Sequence, residues 1–91
     1  MAAYLTAGTS DTESSPFSLS ANESATLYIV PAAGPEVPAD SRVDIQIQGA
    51  NNTWVTFGQL NVTNRAQVLT AAGTFRVRRR ACTAAIAVDK N

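Results

Sequence analysis

The strongest constraint on the fold is an alternation of apolar and polar residues with a period of two. It occurs in five short stretches of the chain: residues 17–19, 25–29, 43–47, 54–60 and 75–77. Successive side chains of a β-strand point to opposite faces of a sheet, so this period is typical of half-buried strands. No window of comparable length has the apolar spacing of an amphipathic helix. The sequence therefore predicts an all-β protein.

The chain has 91 residues, which is the length of one domain rather than two. Turn residues separate the candidate strands at regular intervals, as in sandwiches and small barrels. We expect a single β domain over residues 1–91, built as a small antiparallel β-sandwich or barrel of seven or eight strands, jelly-roll or immunoglobulin-like. Residues 1–15 are expected to form an N-terminal arm and loop. Within them, the apolar segment 2–7 is either a first strand or an arm that pairs with a neighbouring copy.

The clearest strand spans residues 42–48, where apolar and polar residues alternate without interruption. Residues 49–52 contain Gly and Asn, which tolerate a positive φ and therefore favour a hairpin turn. The return strand covers residues 53–60, and Gly58 is a candidate β-bulge. The side chains expected to share one core are Val43, Ile45, Ile47, Phe75 and Val77.

The chain lacks the residues that most enzymes and metal sites use. It has no histidine and one cysteine, Cys82, so it has no internal disulfide and no ligand set typical of zinc. No serine or threonine has a histidine to activate it, and no pair of carboxylates has the placement that glycoside hydrolysis needs. We therefore expect no enzymatic activity, no cofactor and no metal. A short chain without cross-links has a thin core, so we expect self-association or docking to support it.

Membranes are also disfavoured as partners. No run approaches the ~20 apolar residues of a membrane-spanning helix. The N-terminus shows no basic segment followed by an apolar run, as a secretory signal would.

The formal net charge is zero, but the charges are unevenly distributed. Residues 1–44 carry six acidic residues and one basic residue, whereas residues 45–91 carry six basic residues and one acidic residue. This division predicts either complementary pairing inside one folded chain or head-to-tail contacts between copies.

Four arginines, Arg76, Arg78, Arg79 and Arg80, are the main candidates for binding a partner. They are either a contact for an acidic protein surface or a solvated strand face, because Arg76, Arg78 and Arg80 alternate with Phe75 and Val77. Nucleic acid is not expected, since the net charge is zero and no aromatic residues interleave the arginines.

Two aromatic residues complete the candidate partner-binding set. Trp54 follows the hairpin turn and either fills the core or lies outward as a platform for a sugar or a protein. The choice depends on whether Val55 and Phe57 face inward. Tyr4 lies in the N-terminal apolar segment.

Two stretches of the chain resemble a known class of proteins. VPADSRVDIQI at residues 37–47 leads to WVTFGQL at 54–60, and AAGTFRVRR at 71–79 leads to AAIAVD at 84–89. This pattern, over residues 37–89, resembles small β-sandwich structural proteins of tailed bacteriophage particles. The resemblance implies a virion component, such as a capsid decoration (cement) protein or a fibre-associated module.

Together these features predict a non-enzymatic virion structural protein. We expect a capsid decoration protein, located in the virion after assembly in the host cytoplasm, that binds the major capsid protein or another virion protein as a homo-oligomer. The alternative is a carbohydrate- or receptor-binding module, fibre- or tail-associated, that uses an exposed Trp54 and the polar loops.

Overall fold

The structure, a computed structural model, describes residues 3–32, 37 and 39–90 of the chain. These residues form nine β-strands and a short 3₁₀ turn at Ala50–Asn52. The strands are β1 (Ala3–Gly8), β2 (Thr12–Glu13), β3 (Phe17–Leu19), β4 (Ala25–Pro31), β5 (Arg42–Gln48), β6 (Trp54–Asn61), β7 (Ala66–Leu69), β8 (Gly73–Arg79) and β9 (Ile86–Lys90). The predicted all-β class is confirmed.

The strands form two antiparallel sheets, as expected for a sandwich. Sheet A has the order β1-β9-β4-β7, and sheet B has the order β2-β8-β5-β6, with β3 also paired to β8. The ring of Tyr4 in β1 contacts the ring of Phe17 in β3, so β1 of sheet A lies on the same side of the sandwich as β2 and β3 of sheet B. The opposite side is formed by β7 and β6, which end the two sheets.

Strands β5 and β8 form the centre of sheet B, and their register follows from the alternation in both sequences. Ile45 pairs with Val77 and Ile47 pairs with Phe75, so apolar side chains share the inner face. The expected core is largely confirmed: Val43, Ile45, Phe75 and Val77 are buried, and Ile47 is partly buried against them. From sheet A, the fully buried Leu27, Ile86 and Val88 also belong to this core. Burying each such side chain contributes roughly 1.5–3 kcal/mol.

A β-bulge in β6 decides which way its side chains point. Ile45 pairs with Gly58 but the next residue, Gln46, pairs with Thr56, so Phe57 is the additional residue of the bulge. The extra residue changes the alternation. As a result Leu60 lies in the core while Trp54, which a strict period of two would place on the same face, lies outward. The bulge predicted at Gly58 is therefore present.

Several boundaries differ from the sequence-based expectation. The described strands number nine rather than seven or eight, because Thr12–Glu13 pairs with β8 inside a segment predicted as loop. β1 is a strand of sheet A, paired with β9, and not a free arm. The last strand begins at Ile86, whereas the run of small residues over 82–88 predicts a start at Cys82. Met1 and Ala2 of the predicted arm lie outside the described residues.

Within the described chain no helix has the length and apolar character needed to cross a lipid bilayer.

Replacing Ile45 by Asp tests this core. Ile45 is fully buried between the sheets, so a carboxylate there loses its hydration without gaining a partner. We expect Ile45→Asp to abolish cooperative unfolding, as measured by thermal denaturation followed by circular dichroism. The control is Ala66→Asp at an exposed position of β7, which should keep a cooperative transition. A soluble, cooperatively melting Ile45→Asp variant would show that this register is wrong.

Candidate functional site

The arginines of β8 lie on the outer face of sheet B, as the alternation predicts. Phe75 and Val77 are buried on the inner face, and Arg76 and Arg78, which alternate with them along the strand, point outward. Arg80 follows the strand and continues the ladder, since its backbone N–H donates to the carbonyl oxygen of Arg42 at 2.9 Å. We call Arg76, Arg78 and Arg80, together with Trp54, the arginine face.

Carboxylates from the acidic half of the same chain neutralise these arginines. Arg78 donates to both carboxylate oxygens of Asp11, at 2.9 Å from Nε and 3.1 Å from Nη2. Arg76 lies 2.7 Å from Glu13 and also donates to the Gln46 side chain at 2.6 Å. The hydrogen bonds from Arg78 are the main reason why the pKa of Asp11 is lower than usual. The uneven charge distribution is therefore used, at least in part, for pairing within one chain.

Asp44 is the buried centre of this ionic network. Its side chain is 1% exposed and lies between two arginines, 3.1 Å from Arg42 Nε and 2.8 Å from Arg80 Nε. Burial raises the pKa of Asp44, but hydrogen bonds from Arg80 and Arg42 outweigh burial and leave it below its ordinary value. β5 and β8 place Asp44 directly opposite Arg78, which extends the network towards Asp11.

Trp54 lies outward and is partly buried, outside the hydrophobic core, so the interpretation that places it in the core is wrong. The guanidinium carbon of Arg76 lies 4.4 Å from the centroid of the indole ring, a cation–π contact. Polar residues surround it on the outer face, since Trp54 pairs with Gln48 and the neighbouring Thr56 accepts a hydrogen bond from Gln46. The ring is therefore held in place and remains partly accessible.

The prediction that Arg79 belongs to the partner-binding surface is wrong, because its side chain is buried. It lies opposite Val43, on the inner face of sheet B, and is only 4% exposed. Its guanidinium donates to the backbone carbonyl oxygens of Thr6, Ser10 and Ile86, and to the hydroxyl of Thr12. A side chain that is buried and uses four of its five N–H donors in this way is not available to a partner.

Two of the four hydrogen bonds of Arg79 join the two sheets. Thr6 belongs to β1 and Ile86 to β9, both in sheet A, whereas Arg79 belongs to sheet B. The site has little spare room, because a Cβ added at Gly8 would lie 2.7 Å from Nη2 of Arg79. Arg79 is thus an internal cross-link rather than a surface contact.

Tyr4 also has a packing role and is separate from the arginine face. Its ring contacts the ring of Phe17 edge-on, with centroids 5.2 Å apart, and its hydroxyl donates to the carbonyl oxygen of Ser15. Burial of the ring raises the pKa of the hydroxyl. Phe17 lies on β3, at the opposite end of sheet B from Trp54, so the structure does not bring Tyr4 and Trp54 together.

Cys82 lacks the lowered pKa of an activated thiol. Burial raises its pKa, and the negative charge of Asp40 acts in the same direction. Its Sγ lies 3.1 Å from the carbonyl oxygen of Ala84. Among the described residues no group of three or more His, Cys, Asp or Glu side chains is arranged to hold a metal ion.

Sequence reasoning missed the acidic partners of the arginine face. Asp11, Glu13 and Asp44 were counted as part of a charge imbalance, but their pairing with particular arginines depends on strands far apart in the chain. The sequence contains one indication for Asp44. It lies on the polar face of β5, and if the apolar faces of β5 and β8 share one core, their polar faces place Asp44 near the arginines.

Comparison with known proteins gives a match at the level of fold. No protein-family model matches the chain, and no curated protein matches it significantly in sequence. Among solved structures, the crystal structure of the SPBc2 prophage-derived protein YomS is similar, with a TM-score of 0.67. The match covers 97% of this chain and 85% of YomS at 14% sequence identity. At this identity the two proteins share a fold.

Replacing Arg79 by Met tests the internal cross-link. Met keeps an apolar stem of similar length but leaves the carbonyl groups of Thr6, Ser10 and Ile86 without their donor. Each buried acceptor without a partner costs about 1–3 kcal/mol, so we expect the free energy of unfolding to fall by at least ~2 kcal/mol. Urea denaturation measures this. The control is Arg65→Met, which changes an exposed arginine of the β6–β7 loop and should leave stability nearly unchanged. Equal stability of Arg79→Met and the wild type would contradict the assignment.

Asp44 predicts a loss of stability in acid. Because its pKa is lower in the folded than in the unfolded chain, its stabilisation is complete above the unfolded pKa and is lost as pH falls through the folded one. We expect Asp44→Asn to lower the free energy of unfolding at neutral pH by about 1–3 kcal/mol and to flatten its dependence below pH ~4. Urea denaturation over a pH series measures both effects. Glu13→Gln, which removes an exposed carboxylate of the same network, should cause little change. An unchanged acid dependence in Asp44→Asn would refute the role of Asp44.

Proposed function

We propose that this protein is a non-enzymatic structural component of a phage particle. In this proposal it acts as a capsid decoration (cement) protein, binding the major capsid protein or another virion protein as an oligomer. The observation that carries the proposal is the fold match with the SPBc2 prophage-derived protein YomS, which extends over nearly the whole chain. The resemblance of residues 37–89 to small phage structural proteins points in the same direction.

The chemistry of the described residues supports a role without catalysis. The chain has no histidine. Its one thiol has a raised pKa, and its most buried carboxylate, Asp44, is held as an anion between Arg42 and Arg80. Each of these groups is therefore committed to packing or ion pairing, which favours a protein that acts through its surface.

The arginine face is the docking surface that best fits this role. Four arginines, including Arg42, and three carboxylates share the outer side of sheet B, which leaves an excess of one positive charge. Paired guanidinium groups held in fixed positions orient a partner more than they attract it from a distance. Each contact is weak, and repeated attachment of an oligomer to a capsid lattice multiplies modest affinities.

Co-sedimentation with expanded, undecorated capsids of the phage that encodes the chain tests this proposal. We expect the wild type to co-sediment and the double variant Trp54→Ala/Arg76→Gln to bind at least about tenfold more weakly, a difference of ~1.4 kcal/mol. Arg65→Gln is the matched control, because it removes one positive charge outside the arginine face. Both variants must melt at the same temperature as the wild type, so that weaker binding cannot be due to misfolding. Wild-type protein that stays in the supernatant at every concentration would overturn the proposal.

The same experiment distinguishes how the arginine face acts. Because most of its charges are paired internally, we expect binding to weaken only slightly as salt rises, although the screening length falls from about 10 Å at 0.1 M to about 3 Å at 1 M. A steep loss of binding with salt would instead indicate attraction by net charge.

The outward orientation of Trp54 favours one alternative, a carbohydrate- or receptor-binding module. An accessible indole surrounded by Gln48, Thr56 and Gln46 offers both a stacking surface and hydrogen-bonding groups. A glycan array separates the two functions: specific binding that Trp54→Ala abolishes, without capsid binding, would favour the alternative.

A further inference from the structure

The exposed large apolar side chains of the described residues gather on one side of the sandwich. Val55 and Phe57 of β6 are 51% and 48% exposed, and Val68 of β7 is 56% exposed. β6 ends sheet B and β7 ends sheet A, so these residues occupy the side where both sheets stop. We call Val55, Phe57 and Val68 the β6–β7 edge.

An open groove of about 190 Å³ lies at this edge. Phe57 and Val68 form part of its exposed lining, and Phe75 and Leu69 connect it to the core. Sites for drug-sized ligands are larger, at roughly 300–1,000 Å³. A groove of this size suits a single apolar side chain of another protein.

Part of β6 is also available for strand pairing. The chain itself closes the C-terminal half of the strand, since Asn64 donates to the Gln59 carbonyl oxygen at 2.7 Å and accepts from the Asn61 N–H at 2.9 Å. One edge of β6 pairs with β5, and among the described residues no strand pairs with the other edge at residues 54–57. Unpaired edge strands are the places where proteins add a strand from another chain.

The charge pattern indicates what kind of chain fits this edge. Residues 45–75 contain a single charged residue, Arg65, although the whole protein has fourteen. β6 and β7 carry no Lys, Arg, Asp or Glu, the residues that commonly protect edge strands. A second copy of the chain can therefore meet this surface without repulsion between like charges, and its own exposed apolar residues match the groove. A charged partner finds no complementary charge here.

We propose that the β6–β7 edge binds a second copy of this chain, edge to edge. In a two-fold arrangement each copy presents the same residues, so an apolar side chain of one enters the groove of the other. Pairing along residues 54–57 satisfies backbone groups that face water in the single chain. This inference gives a surface to the oligomer of the proposed function and rests on that part of it.

Sedimentation velocity of the purified full-length protein tests the edge without requiring capsids. We expect the wild type to form a dimer or a larger assembly. Val55→Lys/Val68→Lys should weaken self-association at least about tenfold, because two-fold contact brings like charges together. Phe57→Lys should have the same effect. The double variant is needed because Phe57 also contacts Phe75, with ring centroids 5.9 Å apart, and its replacement can affect folding.

The control matched to Phe57→Lys is Thr6→Lys, which also adds one positive charge, at an exposed position of β1 on the opposite side of the sandwich. It should assemble like the wild type. Amide hydrogen exchange gives an independent readout: protection of residues 54–57 should rise with protein concentration in the wild type and not in the double variant.

A monomeric wild type, or edge variants that assemble like the wild type, would overturn the proposal. Capsid co-sedimentation keeps the two proposals apart. A protein that dimerises through the edge but does not bind capsids supports this inference and refutes the proposed function. If the protein is a monomer and Val55→Lys/Val68→Lys abolishes its binding to capsids, the inference of self-association is refuted, because the edge then binds a capsid protein.

Discussion

The two sheets of this protein are joined by one buried cation. Arg79 extends from the inner face of sheet B and donates to carbonyl oxygens of β1 and β9 in sheet A. Apolar side chains bury surface without direction, but a planar guanidinium requires its acceptors at particular positions. Its bonds to Ser10 and Thr12 also hold the segment between β1 and β2. That segment carries Asp11, so the internal cross-link helps to position a carboxylate of the arginine face.

The arginine face uses the charge imbalance of the sequence inside one chain. Asp11, Glu13 and Asp44 come from the acidic half and pair with Arg76, Arg78 and Arg80 from the basic half. The surface that remains is rich in hydrogen-bonding groups but nearly neutral. Such a surface favours contacts that are specific in orientation.

The two proposed surfaces are adjacent on β6. Trp54 lies on its outer face, whereas Val55 and Phe57 lie at the edge that ends the sandwich. A dimer formed through the edge would therefore carry two arginine faces, and simultaneous binding of both would strengthen attachment without any new contact. The fold match with YomS at 14% identity agrees with an architecture that tolerates wide sequence change. Function in such folds depends on surface sites rather than on the fold itself.

The sequence by itself determined the all-β class and most of the strands, because alternation with a period of two constrains each strand locally. It also determined the outward direction of Arg76 and Arg78. The same alternation places Arg79 with Phe75 and Val77, so its burial could have been anticipated, although its acceptors could not.

Only the tertiary structure decided the orientation of Trp54 and the partners of the arginines. Alternation alone puts Trp54 and Leu60 on the same face, and the bulge at Phe57 separates them, so that one lies outward and the other in the core. The pairs between Asp11 and Arg78 and between Glu13 and Arg76 join residues more than sixty positions apart. Such contacts depend on which strands become neighbours, and that choice is made by the packing of the whole core rather than by any local pattern.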